Sequence, residues 1–268
     1  MRNDLDLIVK RFPNTKKWNT LRLYAIGDVH VGAENFDEKA IKKKIEIIKN
    51  DDYGVLALCG DLADYGLKNS KTNVYKATMQ PKEQQEYVYE LFKPVVNKVV
   101  TAVPGNHEER ITREVGTCPL YDLCVRWGIE EVYRENVAIL KLLFGSLKGG
   151  KQQKSFIVVT THGSTRNKHR KYIGGYDNAD CFISGHIHEP SYNMMGRIRI
   201  DPINATAKHV PCKSIIVDAN LAPGGYGLKK EYEIPAPPEL QYLELTTRRE
   251  SNRNRTIHKI MNYHAIQL

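Results

Sequence analysis

Five short apolar runs in this sequence end in small residues followed by Asp, Asn or His, and that coupling constrains the fold more than any other feature. Residues 21–26 run into Gly27-Asp28-Val29-His30, 54–58 into Gly60-Asp61, and 99–103 into Pro104-Gly105-Asn106-His107. Residues 155–160 run into His162-Gly163, and 179–184 into Gly185-His186-Ile187-His188. Short apolar runs bounded by turn residues read as buried strands. Between the first three, Ile41, Ile45 and Ile48 recur at helical spacing. Residues 82–96 read as a second helix that Pro94 ends or kinks. Strand-helix-strand-helix-strand predicts a parallel sheet with right-handed crossovers. Ligands of such sheets sit beyond the carboxyl ends of the strands, so all five polar clusters fall on one side.

The second half is richer in strands, with candidates at 137–144, 155–160, 179–184, 197–201, 214–219, 240–246 and 256–263. Its one clear helix is 118–127. Residues 147–154, with Gly149-Gly150, read as a hairpin turn or short loop, and 233–238, with three prolines, as an extended link. The expected architecture is α/β: two packed mixed β-sheets flanked by helices, in one domain over residues 1–268. Hydrophobic residues at 41% and charged residues at 26% fit a globular chain. No apolar run has the length of a membrane span, and the first residues lack a signal-peptide core. The five cysteines (Cys59, Cys118, Cys124, Cys181, Cys212) are scattered and form no Cys-x-x-Cys pair. A reducing, cytoplasmic setting is expected, with neither a disulfide framework nor a zinc ribbon.

Taken singly, the polar residues have ordinary explanations. An Asp after a strand is a common turn former or helix cap, and a lone His is more often satisfied within the fold than a ligand. A His-x-His pair along a strand would put both rings on one face. Five ligand-type sites at five strand ends change the reading. Gly27-Asp28-Val29-His30, Gly60-Asp61, Gly105-Asn106-His107-Glu108, His162-Gly163 and Gly185-His186-Ile187-His188 resemble, in order, the five motifs of calcineurin-like metallophosphoesterases. The resemblance implies the four-layer αββα sandwich of that superfamily. It implies that Asp28, His30 and His188 hold one metal, that Asn106, His162 and His186 hold a second, and that Asp61 bridges them. His107 resembles the catalytic histidine, able to protonate a leaving alkoxide near neutral pH. Glu108 either orients His107 or caps a helix starting there. The implied cofactors are two divalent ions, Mn²⁺ first, with Fe, Zn²⁺, Co²⁺ or Ni²⁺ as alternatives, since the donors are carboxylate, amide and imidazole without thiolate. A hydroxide bridging the ions would attack phosphorus.

The substrate is less specified. Phosphoprotein phosphatases carry an Arg soon after the second motif and another before the third. Asp61-Leu62-Ala63-Asp64-Tyr65-Gly66 and Val103-Pro104-Gly105 lack both, and only Arg110 matches an arginine of that pattern. Gly60-Asp61-Leu62-Ala63-Asp64 is similar to the second motif of the superfamily's cyclic-nucleotide phosphodiesterases and repair exonucleases. Gly105-Asn106-His107-Glu108-Glu109-Arg110 is similar to chains of phages and their bacterial hosts, which points to a viral or prophage origin. The net charge is +9, from 40 basic and 31 acidic residues, a field that favours anionic ligands. Arg166-Asn167-Lys168-His169-Arg170-Lys171 follows His162 closely. It reads either as a solvated loop or as a phosphate clamp, which makes Arg166 and Lys168, with Arg110, candidate substrate contacts. Arg248, Arg249, Arg253, Arg255 and Lys259 read rather as a charged edge-strand face. Tyr172, Tyr176 and Tyr226 are open to base stacking or to packing. The leading expectation is a phosphodiesterase acting on a nucleic acid or nucleotide, with no membrane partner. A small-molecule phosphomonoesterase and a metal-containing scaffold without turnover are the alternatives. Nothing in the sequence specifies an oligomeric state.

Overall fold

The computed structural model describes residues 3–12, 20–68, 70, 74–144, 155–164, 175–224, 237–249 and 257–268. The predicted parallel unit is present. Strand β2 (Thr20–Ile26) pairs in parallel with β3 (Gly54–Leu58), and β3 with β4 (Val99–Ala102). All five residues of β3 and all four of β4 are buried, which is why both read as unbroken apolar runs.

Helix α1 (Glu38–Asn50) links β2 to β3 and turns Ile41, Ile45 and Ile48 inward. Its N-cap Asp37 accepts a hydrogen bond from the Ala40 amide at 2.9 Å. Helix α2 (Pro81–Phe92) links β3 to β4 and begins with Pro81 in its first turn. It is shorter than the expected 82–96 helix. Pro94, lacking an N–H, falls in a 3-10 turn at Lys93–Lys98.

The antiparallel strands β10 (Glu239–Arg249) and β11 (Ile257–Gln267) extend this sheet to the order β11-β10-β2-β3-β4. A second, six-stranded sheet has the order β1-β5-β6-β7-β9-β8. It comprises β1 (Ile8–Arg11), β5 (Val137–Leu143), β6 (Ser155–Thr161), β7 (Cys181–Ser184), β8 (Ser191–Asp201) and β9 (Thr206–Ile216). The two mixed sheets share one core, a buried cluster that includes Leu23, Leu56 and Leu58 of one and Leu140, Phe156 and Ile215 of the other. Helices flank the sheets, giving the expected α/β sandwich.

Four differences from the sequence reading have local causes. β1 is a four-residue edge strand too short to show a pattern. Helix α3 (Asn106–Val115) follows the third motif directly. Among its residues only Glu108 is fully buried, so it carries almost no apolar stripe. The second half therefore holds α3 as well as α4 (Pro119–Trp127), the helix expected at 118–127. The strands expected at 197–201 and 214–219 are parts of one long hairpin, β8–β9. The stretches not expected as strand, 191–196 and 206–213, hold the facing pair Gly196 and Pro211, which obscure strand character. The turn expected at 147–154 and most of the link at 233–238 lie outside the described residues.

Candidate metal centre

The candidate ligands sit where the backbone is bent into a conformation side chains rarely adopt. Asp28, His30, Asp61, His186 and His188 all have positive φ, between 50° and 74°. Such residues cost free energy and persist only where surrounding structure imposes them. The imposing bonds are visible. Asp28, Val29 and His30 donate their amides to the carbonyls of Gly60, Asp61 and Asp61 at 3.0, 2.8 and 3.0 Å, lacing the first motif to the second. The glycines allow the close approach. A Cβ on Gly60, itself at φ +83°, would run into the Gly105 amide, and one on Gly105 into the Asp61 carboxylate.

The expected ligands converge as two groups. In the first, His30 Nε2 and His188 Nε2 are 3.1 Å apart, and Asp28 Oδ1 is 3.4 Å from His188 Nε2. In the second, His162 Nε2 is 3.2 Å from Asp61 Oδ2 and 3.0 Å from Asn106 Oδ1, which lies 2.7 Å from His186 Nδ1. His162 Nδ1 lies 2.7 Å from the Cys59 carbonyl. It must donate there, so Nε2 is the nitrogen that faces the group and would offer its lone pair to a cation once deprotonated. Asp61 belongs geometrically to the second group. Its link to the first is electrostatic, through His30.

His186 and His188 do not share a face. β7 ends at Ser184 and both histidines follow it at positive φ. The bend sends His186 to the second group and His188 to the first, which a pair on a straight strand could not do. This corrects the strand-face reading of the His-x-His spacing.

Electrostatics in the metal-free chain mark the same cluster. Burial, together with neighbouring His107 and His188, pushes His30 down to about 3. Burial also opposes charge on His162, yet the adjoining Asp61 carboxylate outweighs it and lifts His162 to about 10. Asp61 is correspondingly held far below the usual carboxylate range despite its burial. Asp28 Oδ1 is buried without a hydrogen-bond partner, an arrangement costly for a carboxylate. A divalent cation held by Asp28, His30 and His188 would satisfy that oxygen. Oxygen and imidazole donors without thiolate fit Mn²⁺, Fe, Co²⁺ or Zn²⁺.

His107 stands beside the second group. Its Nδ1 is 2.5 Å from the Asp64 carbonyl and 3.4 Å from the Asp64 carboxylate, and its Nε2 is 3.8 Å from Asp61 Oδ2. Burial works against its charged form, but Asp61 and Asp64 prevail and raise its pKa. Asp64 carries no role in the sequence reading. Its signal is a second Asp three residues after Asp61. Arg110 lies one helical turn past His107, with Nη1 3.4 Å from the Asp64 carbonyl.

Glu108 resolves toward capping, with an addition. Its carboxylate accepts the amides of Gly105, Asp61 and Leu62, each at 2.8 Å. It therefore caps α3 and ties the second motif to the third. Arg166, Lys168, Tyr172 and Tyr226 lie outside the described residues, as do Arg253, Arg255 and the side chains of Arg248 and Arg249. Tyr176 packs near Phe182, with ring centroids 6.0 Å apart, and so takes the packing alternative. Lys259 pairs with Asp180 at 2.7 Å.

The chain belongs to the calcineurin-like phosphoesterases: that family's model matches residues 21–190, a span containing all five ligand clusters. The family is typically one of metal-dependent phosphoesterases. Solved structures similar to the chain include Vps29 of Chaetomium thermophilum, at TM-score 0.39 and 8% identity, covering 92% of this chain and 97% of that one. NAD nucleotidase (NadN) of Haemophilus influenzae matches at TM-score 0.45 and 10% identity, over 92% of this chain and 50% of that one. A phosphatase from Mycoplasma pneumoniae matches at TM-score 0.34 and 10% identity, over 93% and 95%. No curated protein matches the sequence. Among the described residues, no helix is long and apolar enough to cross a membrane.

Proposed function

We propose that this chain is a dinuclear metal-dependent phosphodiesterase, with Mn²⁺ the first candidate metal and a nucleic acid or nucleotide the substrate. The observation that carries the reading is the convergence of two ligand groups, with His107 at their edge. Asp28, His30 and His188 would hold one cation, and Asn106, His162 and His186 the other, with Asp61 bridging. When bound, such a pair supplies positive charge for the phosphoryl oxygens and an acidified water near neutral pH.

The chain's own residues supply the remainder. His162, locked by the Cys59 carbonyl, presents Nε2 without a rotameric search. His107 keeps its Nδ1 proton on Asp64, so Nε2 is the nitrogen free to hand a proton to a leaving oxygen. Arg110, half-buried beside Asp64, can hold a nonbridging phosphate oxygen. A net charge of +9 and the run at 166–171 support an anionic polymer as substrate.

The test is hydrolysis of a chromogenic bis-phenyl phosphodiester against its monoester, each with Mn²⁺, followed by single-stranded DNA, duplex DNA, RNA and cyclic nucleotides. Preference for the diester and for one nucleic-acid class is expected. Preference for the monoester would replace the reading with a phosphomonoesterase, and silence on every substrate with a non-catalytic scaffold.

A further inference from the structure

The β8–β9 hairpin begins three residues after His188 and carries a long sheet edge with an apolar face. β8 has 11 residues, and among the described residues its only strand partner is β9. The other long edge, β11, is partly capped, because Lys213 Nζ donates to the Met261 carbonyl. The edges at β1 and β4 are four residues each. Along β8 the even-numbered side chains share one face. Toward its outer end Met194, Ile198 and Ile200 are 62%, 63% and 71% exposed, and Ile203 at the tip is 92% exposed. At its inner end the same face is covered, since Tyr192 stacks on Tyr263 of β11 with centroids 4.6 Å apart. The apolar face thus continues past the end of the sheet that covers it.

We propose that two copies of this chain pair through β8, antiparallel about a two-fold axis at Gly196. Only registers that keep even residues opposite even residues match the apolar faces, since a one-residue slip exchanges them. Centring on Arg197 or Arg199 opposes that arginine to itself, and centring on Ile198 opposes Arg197 to Arg199. Centring on Gly196 opposes no like charges and uses the whole strand. Met194 then faces Ile198 of the second copy, Tyr192 faces Ile200, and Asn193 faces Arg199. Centring on Met195 also avoids opposed charges but pairs two residues fewer and leaves Ile200 beyond the paired segment.

The chosen register also covers the overhang. It brings Ile200 beside the Tyr192–Tyr263 stack of the second copy, whose sheets lie on the same side of the joined strands. Ile203 is carried to the level of Glu189 in the second copy, next to its His188. An edge roughly 36 Å long and about 10 Å deep contributes on the order of 400 Å² per copy. The covered overhang adds toward the about 800 Å² per partner of specific interfaces. A reversible, concentration-dependent dimer is the expected product.

The pairing is independent of the proposed activity, and its test needs no substrate. The full chain should sediment as a monomer–dimer equilibrium. Asn193→Asp places two symmetric carboxylates opposite Arg199 and should lower the dissociation constant roughly tenfold, while Asn193→Arg should raise it by a similar factor. Met194→Cys mixed with Ile198→Cys should form an intermolecular disulfide under mild oxidation, and neither variant alone should. Residues four apart on a strand lie about 13 Å apart, beyond the about 7 Å limit for a bridge. Circular dichroism checks that these exposed substitutions leave the fold intact. A chain that sediments as a monomer at every concentration overturns the proposal. So do equal effects of the two Asn193 variants, or a disulfide in one cysteine variant alone.

Discussion

His107 Nδ1 rests 2.5 Å from the main-chain oxygen of Asp64, which fixes the ring with Nε2 turned toward Asp61. On the proposed reading, acid catalysis falls to His107 and metal holding to the other cluster residues, although His30, Asp64 and His107 also lie close enough to form a ligand group. His107→Ala should retain about two metals per chain and slow hydrolysis of an alkoxide-leaving diester by about 10²–10⁴. The loss should shrink for nitrophenolate, which leaves without a proton. Metal analysis beside turnover of both substrates checks this. Loss of metal would make His107 a ligand, and equal losses on both substrates would make it a positioning residue.

Asp61 is tied to His162 at 3.2 Å and, through Oδ1, to the His107 amide at 2.8 Å. Asp61→Asn should abolish turnover and reduce bound metal, because a neutral amide bridges two cations poorly. His188→Ala and Asn106→Ala should each weaken one metal preferentially. Elemental analysis of the three variants provides the comparison. Normal metal content with near-normal turnover in Asp61→Asn would remove Asp61 from the site.

Glu108 is buried and accepts three main-chain amides at 2.8 Å. Glu108→Ala leaves those donors unsatisfied, and the cost should be about 3 kcal/mol or more. Glu108→Gln keeps one acceptor oxygen and should lose less. Urea unfolding of both variants measures the order. An alanine variant as stable as wild type would show that water replaces the carboxylate.

Lys44 and Asp218 form a buried pair at 3.0 Å. Lys44→Met strands the carboxylate and should cost about 3–5 kcal/mol at neutral pH. Burial already raises the Asp218 carboxyl above its ordinary value of 3.8. A raised group binds its proton more tightly in the folded state. Its contribution is fully present below the unfolded value and is lost as pH rises through the folded one. Without Lys44 the folded value rises further, so the defect should be full at pH 7 and shrink toward about pH 5. Unfolding free energies of variant and wild type across that range give the difference. A defect that grows on acidification would contradict the sign.

The candidate cluster was legible because each of its residues follows a buried strand, and buried strands advertise themselves as unbroken apolar runs. β3 matches its predicted span residue for residue. What was hidden depends on packing that leaves no periodic trace. Helix α3 buries only Glu108 fully and packs Ile111 against the core, so it shows no continuous apolar stripe. The divergence of His186 and His188 comes from positive φ at both, which no side-chain pattern encodes. Asp64 and Glu108 act on main-chain and ring atoms of residues distant in sequence, so their roles emerge only when β3 and β4 are side by side. In β8–β9 the stretches 197–201 and 214–216 read as strand, while 191–196 and 206–213, mostly exposed and interrupted by Gly196 and Pro211, lack the apolar run that marks the inner strands.

The account rests on a two-metal centre built by seven named residues, and one titration addresses it. Metal-stripped protein is titrated with Mn²⁺ while bound metal and bis-phenyl phosphodiester turnover are followed together. The expected result is two equivalents bound per chain, turnover appearing as the second fills, and both lost in Asp61→Asn. Turnover that is complete at one equivalent, or that persists without bound metal, would contradict the dinuclear assignment.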